Sequence, residues 1–274
     1  MNLDRREMLL LAASGLGSLP FAAPELLAQV GAQDAAGRIA ALAATSPLNS
    51  YRWLDRGRAP RGYVKGMAVA FGRSSCKVKT RDPAARAMAV AATADQQRDA
   101  LAWYASVFAE AGMDNSSGGP QVLRHLFVLL TGLGMRESSG KHCEGRDMSA
   151  TNVTAETSET GLFQVSFNSM GSDPLRRAVY QAYRGRTDFA AIFGEGVTCR
   201  PASWRDWGTG PGVEFQRLTK ACPAFAVEYA ALLLRSVRRH WGPINARRAE
   251  VRPEADALFR SVQTLIDSEG ITSV

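Results

Sequence analysis

Apolar residues recur at helical spacing through the middle of the chain: Val122, Leu123, Leu126, Phe127, Leu129, Leu130 and Leu133. Steps of three and four predict an amphipathic helix. Extending the stripe 126, 130, 133 by four residues reaches Glu137, which places a carboxyl on the apolar side of the last turn. Ser138, Ser139 and Gly140 then end the helix, because hydroxyls compete for backbone partners and glycine tolerates the left-handed conformation at a C-terminus. A second amphipathic run, Ala94 to Ala111, carries Leu101, Tyr104, Phe108 and Ala111. Further helices are expected at Pro174 to Tyr183, Pro223 to His240 and Pro253 to Asp267, each opened by a proline suited to a first turn. Asp114 to Pro120 reads as a turn cluster, and Tyr63 to Phe71 reads as strand-like. In an extended Gly161 to Phe167 segment, Phe163, Val165 and Phe167 share one face while Leu162, Gln164 and Ser166 share the other.

These elements describe a mainly α protein with no internal repeat: one helical domain whose small extended and loop region gathers near residues 137 to 167. Residues 61–270 are long enough for one domain with a substantial core. Residues 33–60, alanine-rich and then arginine- and proline-containing, are expected to form a linker or loosely packed arm. The N-terminus carries Arg5 and Arg6 just before a short apolar run, Leu11 to Ala23. Paired arginines in that place resemble a twin-arginine export signal over residues 1–32, with cleavage after Ala28 or Ala32; the alternative is an uncleaved N-terminal anchor. Gly15, Gly17 and Pro20 interrupt the run, so no stable membrane span is expected.

Export changes the reading of the cysteines. Cys76, Cys143, Cys199 and Cys222 are an even set, consistent with two disulfides in an oxidising periplasm or outside the cell. Four cysteines allow three pairings, of which Cys76 with Cys143 and Cys199 with Cys222 is the one expected here. A formal charge of +7 would hold a basic exported protein near anionic wall polymers. The densest basic cluster, Arg235, Arg238 and Arg239 beside His240 and Trp241, sits at a helix end where cations offset the dipole, so no nucleic-acid partner is expected.

A carboxyl that loses hydration on the apolar side of a helix has a raised pKa and can act as a general acid. The plainer alternative is a partly exposed Glu137 paired with Arg136 or Lys141. The loop after it, Lys141 to Thr160, is rich in acids: Glu144, Asp147, Glu156 and Glu159. Other chemistries fare poorly. His142 and Cys143 are adjacent and badly placed to act on each other. No G-x-S-x-G elbow is present. His142, Glu144 and Asp147 fall at no recognised metal-binding spacing, so no metal and no cofactor are expected. Trp204 and Trp207 offer either sugar-stacking faces or caps on the core.

The E-S-S-G helix end at Glu137 to Gly140, followed by G-L-F-Q at Gly161 to Gln164, resembles the lysozyme-like superfamily, specifically soluble-type lytic transglycosylases and goose-type lysozymes. The resemblance implies an α+β lysozyme-like fold, with Glu137 as the catalytic acid. Gln164, with Ser166 and Ser138, would line a cleft for peptidoglycan glycan strands, in a protein expected to be monomeric. Glu159 and Glu156 lie where goose-type lysozymes keep an assisting acid. The chain departs from the pattern in three places: a longer loop containing Cys143, Ser166 where those lysozymes have an acid, and no later Asn and Tyr-Leu motif. A lytic transglycosylase can dispense with a second carboxylate, so the missing acid favours lytic transfer over hydrolysis. A non-catalytic wall-binding protein that has kept the cleft is the alternative from another class.

Overall fold

The computed structural model describes residues 22–149 and 153–274, with side chains from residue 31 onward, Gln33 excepted. The chain is mainly helical: α1 (Ala22–Ala44), a hairpin of β1 (Arg52–Trp53) and β2 (Gly57–Arg58), α2 (Arg61–Lys79), α3 (Pro83–Met88), α4 (Ala100–Trp103), α5 (Ala105–Glu110), α6 (Pro120–Ser138), α7 (Pro174–Tyr183), α8 (Ala190–Phe193), α9 (Pro211–Ala221), α10 (Pro223–Ser236), α11 (Gly242–Asn245) and α12 (Pro253–Ser268). The hairpin pairs antiparallel, with Arg52 opposite Arg58 and Trp53 opposite Gly57. Among the described residues no helix is long and apolar enough to cross a membrane.

The sequence reading holds for α7, whose bounds are those expected, and nearly so for α12. In α7, Asp173 caps the start by accepting from the Leu175 and Arg176 amides at 2.9 and 3.0 Å, with Pro174 at the first position. The helix expected over Pro223 to His240 stops at Ser236, and Arg238 to His240 form a separate 3-10 turn.

Three expectations are corrected. Tyr63 to Phe71 is not a strand but the first half of α2, where an unbroken run from Tyr63 to Phe71 is buried apart from Lys65. A short run of apolar and small residues buried on every side carries no period to distinguish strand from helix. The Ala94 to Ala111 run does not form one helix. Asp99 caps a new start by accepting from Leu101 N at 3.0 Å and from Thr93 N at 2.9 Å, and the chain breaks again at Tyr104. Asp99 also pairs with Arg235 at 3.1 Å, both side chains out of solvent. Arg235 in turn donates to the carbonyls of Met88, Val90 and Ala91, so this arginine clasps α10 to the chain after α3. Residues 33–60 are not a loose arm: Ile39, Ala43, Leu48 and Trp53 are buried in the common core, and α1 lies along α2. The export signal expected over residues 1–32 lies mostly outside the described residues, and α1 runs through both expected cleavage positions.

α6 is the axis of the molecule. It is buried on all sides rather than along one stripe, with almost every residue from Val122 to Met135 out of solvent, and it packs against α2, α10 and α12. Two glycines permit that approach. A Cβ at Gly132 would stand 2.2 Å from the Glu250 carbonyl oxygen, and one at Gly134 would stand 2.4 Å from the Tyr63 hydroxyl. That hydroxyl donates to the Thr131 carbonyl at 2.7 Å, joining α2 to the last turns of α6.

Candidate active site at the end of α6

The helix ends as its sequence predicts. Ser139 adopts the left-handed conformation (φ 55°), its amide bonds the Met135 carbonyl at 3.1 Å, and the Gly140 amide reaches back to the Gly134 carbonyl at 3.2 Å, so the last carbonyls of the helix are satisfied. The β1–β2 hairpin clamps the same end. Arg56 donates to the Arg136 carbonyl at 2.6 Å, Arg136 donates to the Leu54 carbonyl at 3.0 Å, and the Leu54 amide is held by Glu250 at 2.8 Å. Glu137 is thus mounted on a rigid helix end, half-buried rather than on the surface.

Burial is the main force on this carboxyl, because the charged form loses hydration; the neighbouring charge of Glu159 adds to it, and Arg56 and Arg136 oppose both. The net effect pushes Glu137 from its ordinary 4.5 up to about 7. Glu159 is also raised to about 7, first by burial and then by Asp147. Its side chain is 47% exposed, so water screens part of that penalty.

Gly161 to Phe167 is not an extended segment, so the alternation of faces expected there is absent. Thr160 and Val165 exchange backbone hydrogen bonds at 3.1 and 3.2 Å, closing residues 161–164 into a tight turn with positive φ at Gly161 and Gln164. Leu162, Phe163 and Val165 all enter the core. A Cβ at Gly161 would meet the Thr219 carbonyl at 2.7 Å, so only glycine lets this turn sit against α9. Gln164 is buried, and its amide nitrogen donates to the carbonyls of Gly161 and Gly145 at 3.0 and 3.2 Å. Ser166 donates to Asn168 at 2.7 Å and Ser138 to the Gly134 carbonyl at 3.0 Å. The donors of the three expected sugar-binding side chains are therefore engaged within the protein, where they shape the wall.

Of the two expected assisting acids, only Glu159 has a charge that acts on Glu137. The Glu156 carbonyl accepts from the Asn168 amide at 2.9 Å, its carboxylate lies toward Gly210, and its charge is not among those that act on Glu137. Glu144 pairs with Lys141 at 3.6 Å, and Asp147 is held ionised by Ser149.

His240 is the residue that sequence reasoning missed. It was expected only to end a helix, yet its Nε2 lies 3.2 Å from the Gln164 carbonyl and 3.6 Å from the Glu159 carboxylate. A carbonyl only accepts, so Nε2 carries the proton, and burial keeps the ring neutral to lower pH than usual. Trp241 beside it donates to the Phe163 carbonyl at 2.7 Å, so both sides of the G-L-F-Q turn are tied to one short segment. His240→Ala should loosen Glu159 and the turn together, whereas His240→Gln keeps a donor. The Ala variant is expected to lose about tenfold more activity than the Gln variant in a parallel rate measurement, and equal losses would show that the contact is incidental. Only the pairing of distant segments reveals this role; adjacency to Trp241 was the one local signal.

The disulfide joins Cys143 to Cys199, with 5.8 Å between their Cα atoms, and Cys76 and Cys222 are buried free thiols. This corrects both expected bridges: Cys76 hydrogen-bonds toward the Ile271 carbonyl and Cys222 toward the Asp188 carbonyl, on separate elements. The observed bridge pins the loop after Glu137. Lys220, fully buried, fastens the same region. Its Nζ donates to the Trp204 and Arg205 carbonyls at 3.1 and 3.2 Å, and its own carbonyl bonds His142 Nδ1 at 2.9 Å. Trp204 and Trp207 are not caps on the core but stand about two-fifths exposed, and the Arg146 guanidinium covers the Trp207 ring at 3.9 Å.

The basic cluster is absorbed by the fold. Arg238 is buried against Gln96 and Asn245 and lies over the Trp103 ring, and Arg239 bonds Gln97. A surface cavity of about 550 Å³ is lined by Arg184, Arg186, Glu214 and Arg217. Each of those arginines is ion-paired within the protein. The raised carboxyls occur at the end of α6. No protein family, curated protein or solved structure matches the chain.

Proposed function

We propose that this protein is an exported peptidoglycan-cleaving enzyme with a lysozyme-like catalytic domain, acting on the β-1,4 bond between N-acetylmuramic acid and N-acetylglucosamine. The observation that carries the proposal is Glu137: a half-buried carboxyl on a rigid helix end, raised to about 7 by burial and by the charge of Glu159. Such a group is protonated when substrate arrives and can donate to the glycosidic oxygen. In the lytic version, which we favour, it then accepts the proton from the 6-hydroxyl as the anhydro ring closes. The clamp of Arg56 and Arg136 and the engaged donors of Gln164, Ser138 and Ser166 support a preformed cleft wall. The partly exposed indole of Trp204 supplies a flat face for a sugar ring. The Cys143–Cys199 bridge is compatible with an oxidising compartment.

One observation favours a second reading, hydrolysis: the charge of Glu159 acts on Glu137, so a second carboxylate is at hand to activate water or the sugar. Incubation with murein sacculi separates the two. Lytic transfer releases anhydro ends, and Glu159→Gln stays active below pH 6. Hydrolysis releases reducing ends, and Glu159→Gln abolishes it. No release of either product by the wild type would defeat both readings and leave a wall-binding protein.

A further inference from the structure

The Cys143–Cys199 bridge has a third member. His142 Nε2 lies 3.8 Å from Cys199 Sγ, and the three donor atoms of His142, Cys143 and Cys199 all fall within 4.8 Å of one another. The Nδ1 of the same ring is bonded to the Lys220 carbonyl at 2.9 Å. A carbonyl accepts, so the proton sits on Nδ1 and Nε2 presents its lone pair toward the sulfurs. This is the outer-sphere arrangement that orients histidine metal ligands. Position 194 is glycine, and a Cβ there would stand 3.9 Å from Nε2. His142 and Cys143 are buried, while Cys199 is partly exposed, which provides an entry.

We propose that these three residues form a redox-gated zinc site, disulfide when oxidised and, when reduced, a Cys143, Cys199 and His142 centre for one Zn²⁺ with water in the fourth position. A dithiol reductant opens the bridge by thiol–disulfide exchange: the two electrons and two protons it gives up leave Cys143 and Cys199 as thiols and the reductant as a cyclic disulfide. Zn²⁺ then displaces both thiol protons, and two thiolates with one neutral imidazole leave the centre uncharged. The distances suit the ion. Zinc bonds of about 2.3 Å to sulfur and about 2.0 to 2.1 Å to nitrogen, at a tetrahedral angle, hold S and N about 3.6 Å apart, close to the observed 3.8 Å. The sulfurs must separate from bonding distance, which rotation about their Cα–Cβ bonds provides. No spacing motif announces the site, because Cys199 follows Cys143 by 56 residues. The metal would replace the bridge as the fastening of the loop behind Glu137. The inference does not depend on the proposed activity.

The test uses the purified full chain, reduced with a phosphine, freed of reductant under anaerobic conditions and titrated with Zn²⁺ against a chromophoric chelator. One zinc per reduced chain is expected, with none on the oxidised protein. Co²⁺ in place of zinc should give a thiolate-to-cobalt charge-transfer band. His142→Ala keeps the bridge and folds through the same oxidised state; once reduced it should bind zinc at least tenfold more weakly and lose the thermal stabilisation that zinc gives the reduced wild type. No stoichiometric binding by the reduced wild type would overturn the proposal. Undiminished binding by His142→Ala would overturn it too, assigning the zinc to cysteine thiols alone.

Discussion

Glu137→Gln is expected to lower turnover on glycan strands by about 10²- to 10⁴-fold, the usual weight of a positioned general acid. Gln keeps the shape of the side chain but has no proton to give, so KM should change little. The wild-type rate should carry the same signature. Activity requires the protonated carboxyl, and with its pKa at about 7 the logarithm of kcat/KM should fall by one unit per pH unit above neutrality. Residual activity in Glu137→Gln within threefold of wild type would remove Glu137 from the chemistry. A rate that stays flat to pH 9 would instead remove the raised pKa from the mechanism.

The same substitution should stabilise the protein at alkaline pH. Glu137 is raised in the folded state from 4.5 to about 7, so between those values the folded chain binds more protons than the unfolded one. Stability contributed by the protonated group is therefore present below about pH 4.5, lost as pH rises toward 7, and absent above it. Two and a half units at about 1.36 kcal/mol each, reduced for partial solvent contact, leave a deficit on the order of 2 to 3 kcal/mol. Gln never ionises and escapes this deficit. Thermal melts should show the two proteins within a degree or two at pH 4.5 and the Gln variant higher by roughly 5 to 10 °C at pH 8, given about 2 to 4 °C per kcal/mol for a chain of this size. A gap that does not change with pH would contradict the burial argument. The variant that kills catalysis is thus expected to be the more stable protein, as befits a residue held in an unfavourable state for its chemistry.

What could be read from the sequence was local. α7 and α12 announced themselves through a proline at the first helical position and polar flanks, and the stop of α6 through Ser139 and Gly140. Glu137 was legible because its place on an apolar stripe depends only on helical spacing. The failures were tertiary. Tyr63 to Phe71 looked like a strand because α2 is buried on every side there, which erases its period. The turn at Gly161 to Gln164 was misread because a positive φ at a glutamine leaves no local mark. The Cys143–Cys199 pairing, and the contact of His240 with Glu159 and Gln164, join segments 56 to 81 residues apart. No pattern within one element reports such distances.

Thr160, next to Glu159, is bonded to Thr219 at 2.8 Å, and His142 is bonded to the Lys220 carbonyl. The two carboxyls therefore ride on different carriers, Glu137 on α6 and Glu159 on a loop moored to α9. The charge that Glu159 places on Glu137 therefore comes from an element fastened to α9 rather than to the central helix.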